Sequence, residues 1–289
     1  MTINLTGQVA IVTGAGAGLG RAYAMALAER GASVIVNDLS GAETVVQQII
    51  ESGGTAIAND GNVTSPEDMM RMADQAMEEY GRIDILVSNA GILRDKTFAK
   101  LALDDFKAVI DVHLMGSINA TKAVLPAMQQ ANYGRIIMVS SSSGVYGNFG
   151  QSNYGAAKMG IVGLMNTLKL ELSKNNIHVN TLVPIAATQM TEDLMPAEAL
   201  ATLKPELVSP AVIFMSANDA PNGEIISAGA GSFSRIRVVE SEGVYLGENA
   251  SAEMITENWS EITNPLGERS LTSGPEHSLK FVSKAITPQ

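Results

Sequence analysis

A chain of 289 residues, 46% of them hydrophobic, can bury one substantial core, and its length predicts one domain or one domain with an appendage. A formal net charge of -11 and the lack of any basic run exclude a phosphate-backbone partner, which would be held by clustered Lys and Arg. The absence of cysteine excludes disulfides, thiolate catalysis and Cys-based zinc sites, and accords with a reducing compartment.

The first predicted strand covers residues 9–13. Its apolar run leads into a glycine loop and not a cleavage site, and the first basic residue is Arg21, so no signal peptide is expected. A helical pattern over 19–30 follows, then strands over 33–38 and 55–59 and a helix over 66–80. That helix carries Met69, Met70, Met72 and Met77; their helical spacing reads as core filling and not as a soft-metal site. Next come a strand over 83–88, a helix over 103–130, a strand over 135–140, a helix over 153–174, and strands over 178–183 and 224–227. Several strands are apolar without alternation, as expected where both faces are covered. Strand–helix alternation implies right-handed crossovers and a parallel sheet, so the fold class is a doubly wound, Rossmann-like α/β domain over residues 1–231. The rhythm fades after about Ser232. Residues 232–289, with Trp259, Pro265, Pro275 and Pro288, are expected to form a C-terminal extension that packs on the domain or on a neighbouring subunit. His113, His178 and His277 lie too far apart to suggest a metal site. No apolar stretch is long enough to span a bilayer, so a cytoplasmic chain without membrane association is expected.

The segment Thr13-Gly14-Ala15-Gly16-Ala17-Gly18-Leu19-Gly20 lies between the first strand and the first helix. A helix N-terminus offers free N–H groups and a positive dipole end to a pyrophosphate, and glycine lets phosphate approach the backbone. The common G-x-G-x-x-G spacing fails, because its last glycine would fall on Leu19 or Arg21; G-x-x-x-G-x-G fits with Gly14, Gly18 and Gly20. Gly14, Gly16, Ala17, Gly18, Leu19 and Gly20 are therefore the expected cofactor loop. Asp38, at the end of the second strand, is either a turn residue or the carboxylate that binds the adenosine ribose and repels a 2′-phosphate. Neither Ala17 nor Leu39 supplies a positive charge, so NAD is expected over NADP.

Tyr154 and Lys158 stand four apart near the start of a predicted helix, hence on one face. A serine run, 140–143, ends the strand before them, with Ser141 thirteen residues ahead of Tyr154. Removing hydride from an alcohol carbon requires a base on the oxygen, and tyrosine at its ordinary pKa of about 10 is too weak. A nearby ammonium favours the phenolate. Tyr154 is thus the expected acid/base, Lys158 the group that lowers its pKa and contacts the ribose, and Ser141 the group that orients the substrate oxygen.

With these motifs, residues 5–231 resemble the short-chain dehydrogenase/reductase family. The resemblance adds Asn89-Ala90-Gly91 after the fourth strand, Asn62-Val63 where the family has Asp-Val against the adenine, and Pro184 after the sixth strand. It implies cofactor contacts from Asn62, Val63, Asn89, Ala90, Gly91, Tyr154, Lys158 and Thr188. Asn37-Asp38-Leu39, Ile92-Leu93-Arg94-Asp95, the 133–138 run and the 146–151 run are similar to one branch, the (3R)-hydroxyacyl-CoA dehydrogenase domains of type 2 peroxisomal multifunctional enzymes, also described as 17β-hydroxysteroid dehydrogenases. This implies acyl-CoA or steroid-like small-molecule substrates. The family further implies a homodimer or homotetramer, paired through the long helices that begin near Leu103 and Asn153.

Four departures stand out. His113 occupies the position of the family's catalytic asparagine, as either a proton relay or a buried histidine bonded to backbone. Ser88 replaces the first asparagine of Asn-Asn-Ala-Gly. Ile185 follows Pro184, and Thr188 comes one residue early. No hydratase or sterol-carrier segment follows, and Thr287-Pro288-Gln289 is not a Ser-Lys-Leu address. The alternatives are a dehydrogenase for simple ketones, sugars or acyl-carrier-protein thioesters, and a nucleotide-sensing scaffold without turnover.

Overall fold

Val9–Thr13 (β1) has no charged side chain and is buried along its whole length. A parallel strand covered by helices on both faces has no wet side to give a polar residue. The computed structural model describes residues 2–186 and 197–286. After β1, strands form at Ser33–Asn37 (β2), Thr55–Asn59 (β3), Ile85–Ser88 (β4), Gly134–Val139 (β5), Ile177–Ile185 (β6), Ile225–Gly229 (β7) and Ser232–Ile236 (β8). Among the described residues they make one eight-stranded sheet in the order β3-β2-β1-β4-β5-β6-β7-β8. From β3 to β7 every pairing is parallel. The order reverses between β1 and β4, and a crevice at the carboxyl ends of strands on either side of such a switch is the usual ligand site of this fold class.

The helices are Gly18–Glu29 (α1), Ala42–Glu51 (α2), Pro66–Tyr80 (α3), Leu103–Ile110 (α4), Gly116–Ala131 (α5), Ser142–Tyr146 (α6), Ser152–Glu171 (α7), Ala197–Thr202 (α8) and Ser209–Ser216 (α9). One packed group joins α1, α2 and α9; another joins α3, α4, α5 and α7. Local chemistry sets the ends of α3. Ser65 caps it by accepting from Asp68 N at 3.1 Å, Pro66 opens it, and Gly81 closes it at φ 73°. Met69 and Met72 face the core while Met70 points outward. Buried side chains such as Ile11, Ile35 and Leu86 each contribute about 1.5–3 kcal/mol by leaving water.

Arg135 is fully buried at the amino end of β5, where its guanidinium donates to the carbonyls of Ala217, Gly134, Asn176 and Asn218. This charge closes strand and loop ends on the side away from the ligand crevice. Tyr23 in α1 is also fully buried, and its hydroxyl has no hydrogen-bond partner among the described residues. An unpaired buried hydroxyl costs about 1–3 kcal/mol. Tyr23→Phe is therefore expected to raise the thermal midpoint; an unchanged or lower Tm would contradict this reading.

Two expectations from the sequence need correction. The predicted helix over 103–130 is α4 and α5 joined through a π-helical turn, Asp111–Met115. The predicted helix over 153–174 ends at Glu171, followed by a separate turn, Ser173–Asn175, closed by Asn176 at φ 51°. β8 was not anticipated. It follows β7 through Ala230 and Gly231, both at positive φ, as in the type I′ turn that joins antiparallel strands.

The chain divides into two compact units, Met1–Arg235 and Ile236–Gln289. In the second, helices form at Ala252–Glu257 (α10), Trp259–Ile262 (α11) and Gly274–Ile286 (α12). Its organiser is Lys280, buried on α12, which donates to Glu240 at 2.8 Å and to the Ser241 carbonyl. No described helix is long and apolar enough to cross a membrane.

Candidate active site

The turn from β1 into α1 is built without a cap. Ala17 precedes the helix with no side-chain bond to its N–H groups, and the first turn holds no acidic residue. The positive helix end can therefore meet an anion. The glycines are steric requirements. Gly14 and Gly18 sit at φ 62° and 53°, and a Cβ on Gly14 would lie 2.6 Å from Ala90 Cα. On Gly16 it would lie 2.1 Å from Ser40 O, and on Gly20 2.1 Å from Gly14 O. The Gly16 N–H donates to Asp38 Oδ2 at 2.9 Å, and Ser40 N–H donates to Oδ1 at 3.1 Å. The loop and the end of β2 thus fix one another, with a carboxylate beside the glycine cradle, which fits a dinucleotide with a free ribose.

At the end of β4, Asn89 locks this loop in place. Its Nδ2 donates to the carbonyls of Thr13 (3.1 Å) and Gly14 (3.0 Å), and Thr13 Oγ1 accepts from Asn89 N and Ala90 N. A Cβ on Gly91 would fall 2.2 Å from His113 Cε1, so His113 dictates that glycine. The π-helical turn swings His113 inward to 2% exposure, and Ser117 Oγ donates to its carbonyl at 2.6 Å. π-turns recur at functional positions because they re-aim side chains. His113 Nε2 lies 3.0 Å from Ile92 N and 2.8 Å from Ile92 O, while Nδ1 is buried with no hydrogen-bond partner among the described residues. Both sequence readings of His113 share this geometry.

Ser141, Tyr154, Lys158 and His113 converge at the carboxyl ends of β4 and β5. Ser141 caps α6, accepting from Ser143 N at 3.2 Å, and its hydroxyl is near enough to the Tyr154 phenol to favour the phenolate. The His113 ring meets the Tyr154 ring edge-on at 5.0 Å. Lys158 Nζ lies 5.6 Å from the same ring and donates to Val139 O at 2.6 Å. Burial drives all three titrating groups toward their neutral forms. It raises the Tyr154 phenol above its ordinary value, against the Ser141 hydroxyl that lowers it and with the Asp95 charge raising it further. Burial brings Lys158 down to about 7. His113 falls to about 3, through burial first and then the Lys158 charge. The sequence led us to expect a phenol already lowered by Lys158. Within the protein's own groups the reverse holds, because desolvation dominates and the ammonium is turned to a carbonyl.

Three organising residues escaped the sequence reading. Gln151 Nε2 donates to Asp95 Oδ2 at 2.6 Å, and Asn153 Nδ2 donates to Arg94 O at 3.0 Å. The first bond unites the 92–95 and 146–151 runs, whose joint presence was the available signal, and the second ties the 92–95 run to the first turn of α7. Of the remaining candidates, Asn62 turns its Oδ1 to Thr64 N and Oγ1, both at 3.0 Å. Val63 is buried, close enough to α5 that a Cβ on Gly116 would reach its Cγ2 at 2.8 Å. Thr188 lies outside the described residues.

The model of the short chain dehydrogenase family matches residues 8–199. A short-chain type dehydrogenase/reductase of Mycobacterium tuberculosis is 43% identical over 274 residues, covering 91% of this chain and 96% of that protein. The full-length peroxisomal multifunctional enzyme type 2 of Drosophila melanogaster superposes with a TM-score of 0.85 at 40% identity, covering 97% of this chain. The chain spans 50% of that enzyme's length. A 7α-hydroxysteroid dehydrogenase solved with NADH and 7-oxo glycochenodeoxycholic acid superposes with a TM-score of 0.74 at 29% identity, over 79% of this chain and 95% of that one. Cradle, switch-point crevice and relatives agree: the chain belongs to the short-chain dehydrogenase family and is an oxidoreductase that works with a nicotinamide cofactor.

Proposed function

We propose that this protein is an NAD-dependent dehydrogenase for (3R)-3-hydroxyacyl-CoA thioesters, with hydroxysteroids as the second substrate class. The observation that carries the reaction type is the buried Tyr154 at the switch point, with Lys158 Nζ 5.6 Å from its ring centroid and the His113 ring edge-on at 5.0 Å. A bound nicotinamide ring supplies the acceptor or donor of hydride. Tyr154 takes the proton of the alcohol oxygen during oxidation and returns it during reduction; Ser141 donates to that oxygen; Lys158 favours the phenolate when it carries its proton. His113 holds the Tyr154 ring. The acyl-CoA class rests on the 92–95 and 146–151 runs and on likeness to the multifunctional enzyme, whose own name says only that it is peroxisomal and multifunctional. Assaying NADH formation across 3-hydroxyacyl-CoAs, hydroxysteroids and small alcohols tests it. The greatest kcat/KM should fall on a (3R)-3-hydroxyacyl-CoA; a small alcohol winning that comparison would overturn the substrate class.

The choice of NAD rests on Asp38, whose oxygens are held by Gly16 and Ser40, and on the uncharged Ala17 and Leu39 beside it. Asp38→Ala combined with Leu39→Arg should move preference toward NADP. Equal catalytic efficiency of the parent with both cofactors would contradict the assignment. We further propose a cytoplasmic homodimer or homotetramer. Its contact is through α4, the π-helical turn, α5 and α7, where Leu103, Met115 and Met159 are exposed, and light scattering gives its mass.

A further inference from the structure

The loop after β4 is bound to the turn that opens α7 at three points. Besides the Gln151–Asp95 and Asn153–Arg94 bonds, Lys96 N donates to Gly150 O at 2.9 Å. Gln151 is buried, and its Oε1 accepts from Ser143 Oγ at 2.7 Å and Asn148 Nδ2 at 3.0 Å. One amide therefore joins the Asp95 loop, the helix capped by Ser141 and the start of α7. Asn153 Oδ1 in turn accepts from Tyr154 N at 2.8 Å.

We propose that Asp95 and Gln151 are positioning residues of the reaction: the pair locks the Tyr154 end of α7 to the Ser141 helix. The proposal rests on Tyr154 being the acid/base. The Gln151 amide donates to the Asp95 carboxylate and accepts from Ser143 on α6, so one side chain fixes the start of α7, three residues before Tyr154, against the helix that Ser141 caps.

Asp95→Asn retains an oxygen that can accept from Gln151, so its plateau kcat for alcohol oxidation should stay within about threefold of the parent. Asp95→Ala and Gln151→Ala break the lock. Their plateau kcat should fall at least about tenfold, with dinucleotide binding retained, because the acid/base is displaced from Ser141. The probe is (3R)-3-hydroxydecanoyl-CoA, or the alcohol turned over fastest in the substrate panel. Ala variants with the parent's plateau, or an Asp95→Asn variant that falls as far as Asp95→Ala, overturn the lock. Tyr154→Phe belongs in the same series. If it is inactive while the Ala variants keep the parent's plateau, the proposal fails alone; if it stays active, the acid/base reading fails first.

Discussion

Tyr154→Phe is expected to bind NADH with the parent's affinity and to turn over alcohol about a hundred- to ten-thousandfold more slowly. Phenylalanine keeps the ring that stands edge-on to His113 at 5.0 Å and loses only the phenolic hydroxyl. The glycine cradle and Asp38 lie on β1, α1 and β2 and are untouched. Since burial raises the phenol, oxidation by the parent should climb with pH as the phenolate forms. The variant should lack that climb. Calorimetric titration with NADH and a pH–rate profile check both halves. Activity within about tenfold of the parent would be too much for a lost acid/base.

Lys158→Met should lower oxidation at and below neutral pH, where the buried lysine still carries positive charge beside the phenol ring. It should also stabilise the fold, in a pH-dependent way. The folded value of Lys158 is about 7 against an ordinary 10.5. Between these values the unfolded chain holds a proton that the folded chain has lost, so stability rises with pH across that window and the penalty is complete below about 7. Methionine keeps the aliphatic volume and removes that penalty. The gain in Tm should be greatest near about pH 6 and smallest near about pH 10. A gain that grows with pH would contradict the depressed value. Such a trade is common where a buried charge is kept for chemistry.

The parallel sheet and most of its strands were legible because strands covered on both faces are apolar without alternation, as residues 9–12 and 85–87 are. Glycine spacing revealed the cradle for a steric reason: Gly14, Gly16 and Gly20 each touch backbone where a Cβ would stand. Other features leave no local trace. The π-helical turn at Asp111–Met115 adds one residue to a helix without changing its composition, so 103–130 read as continuous. β8 is a largely exposed Ser-Phe-Ser-Arg-Ile segment with no apolar run to announce it. The lowered Lys158 and raised Tyr154 depend on burial, which the four-residue spacing cannot report. Asp95 and Gln151 are fifty-six positions apart and meet only through the fold.

The most direct test of the central claim is a single-turnover experiment: the purified protein mixed rapidly with NAD and (3R)-3-hydroxydecanoyl-CoA, with NADH followed by its absorbance. One NADH per active chain should form in the parent and none in Tyr154→Phe on the same timescale. NAD binding without NADH formation, from this thioester or from any alcohol of the panel, would contradict the account and leave a nucleotide-sensing scaffold in its place.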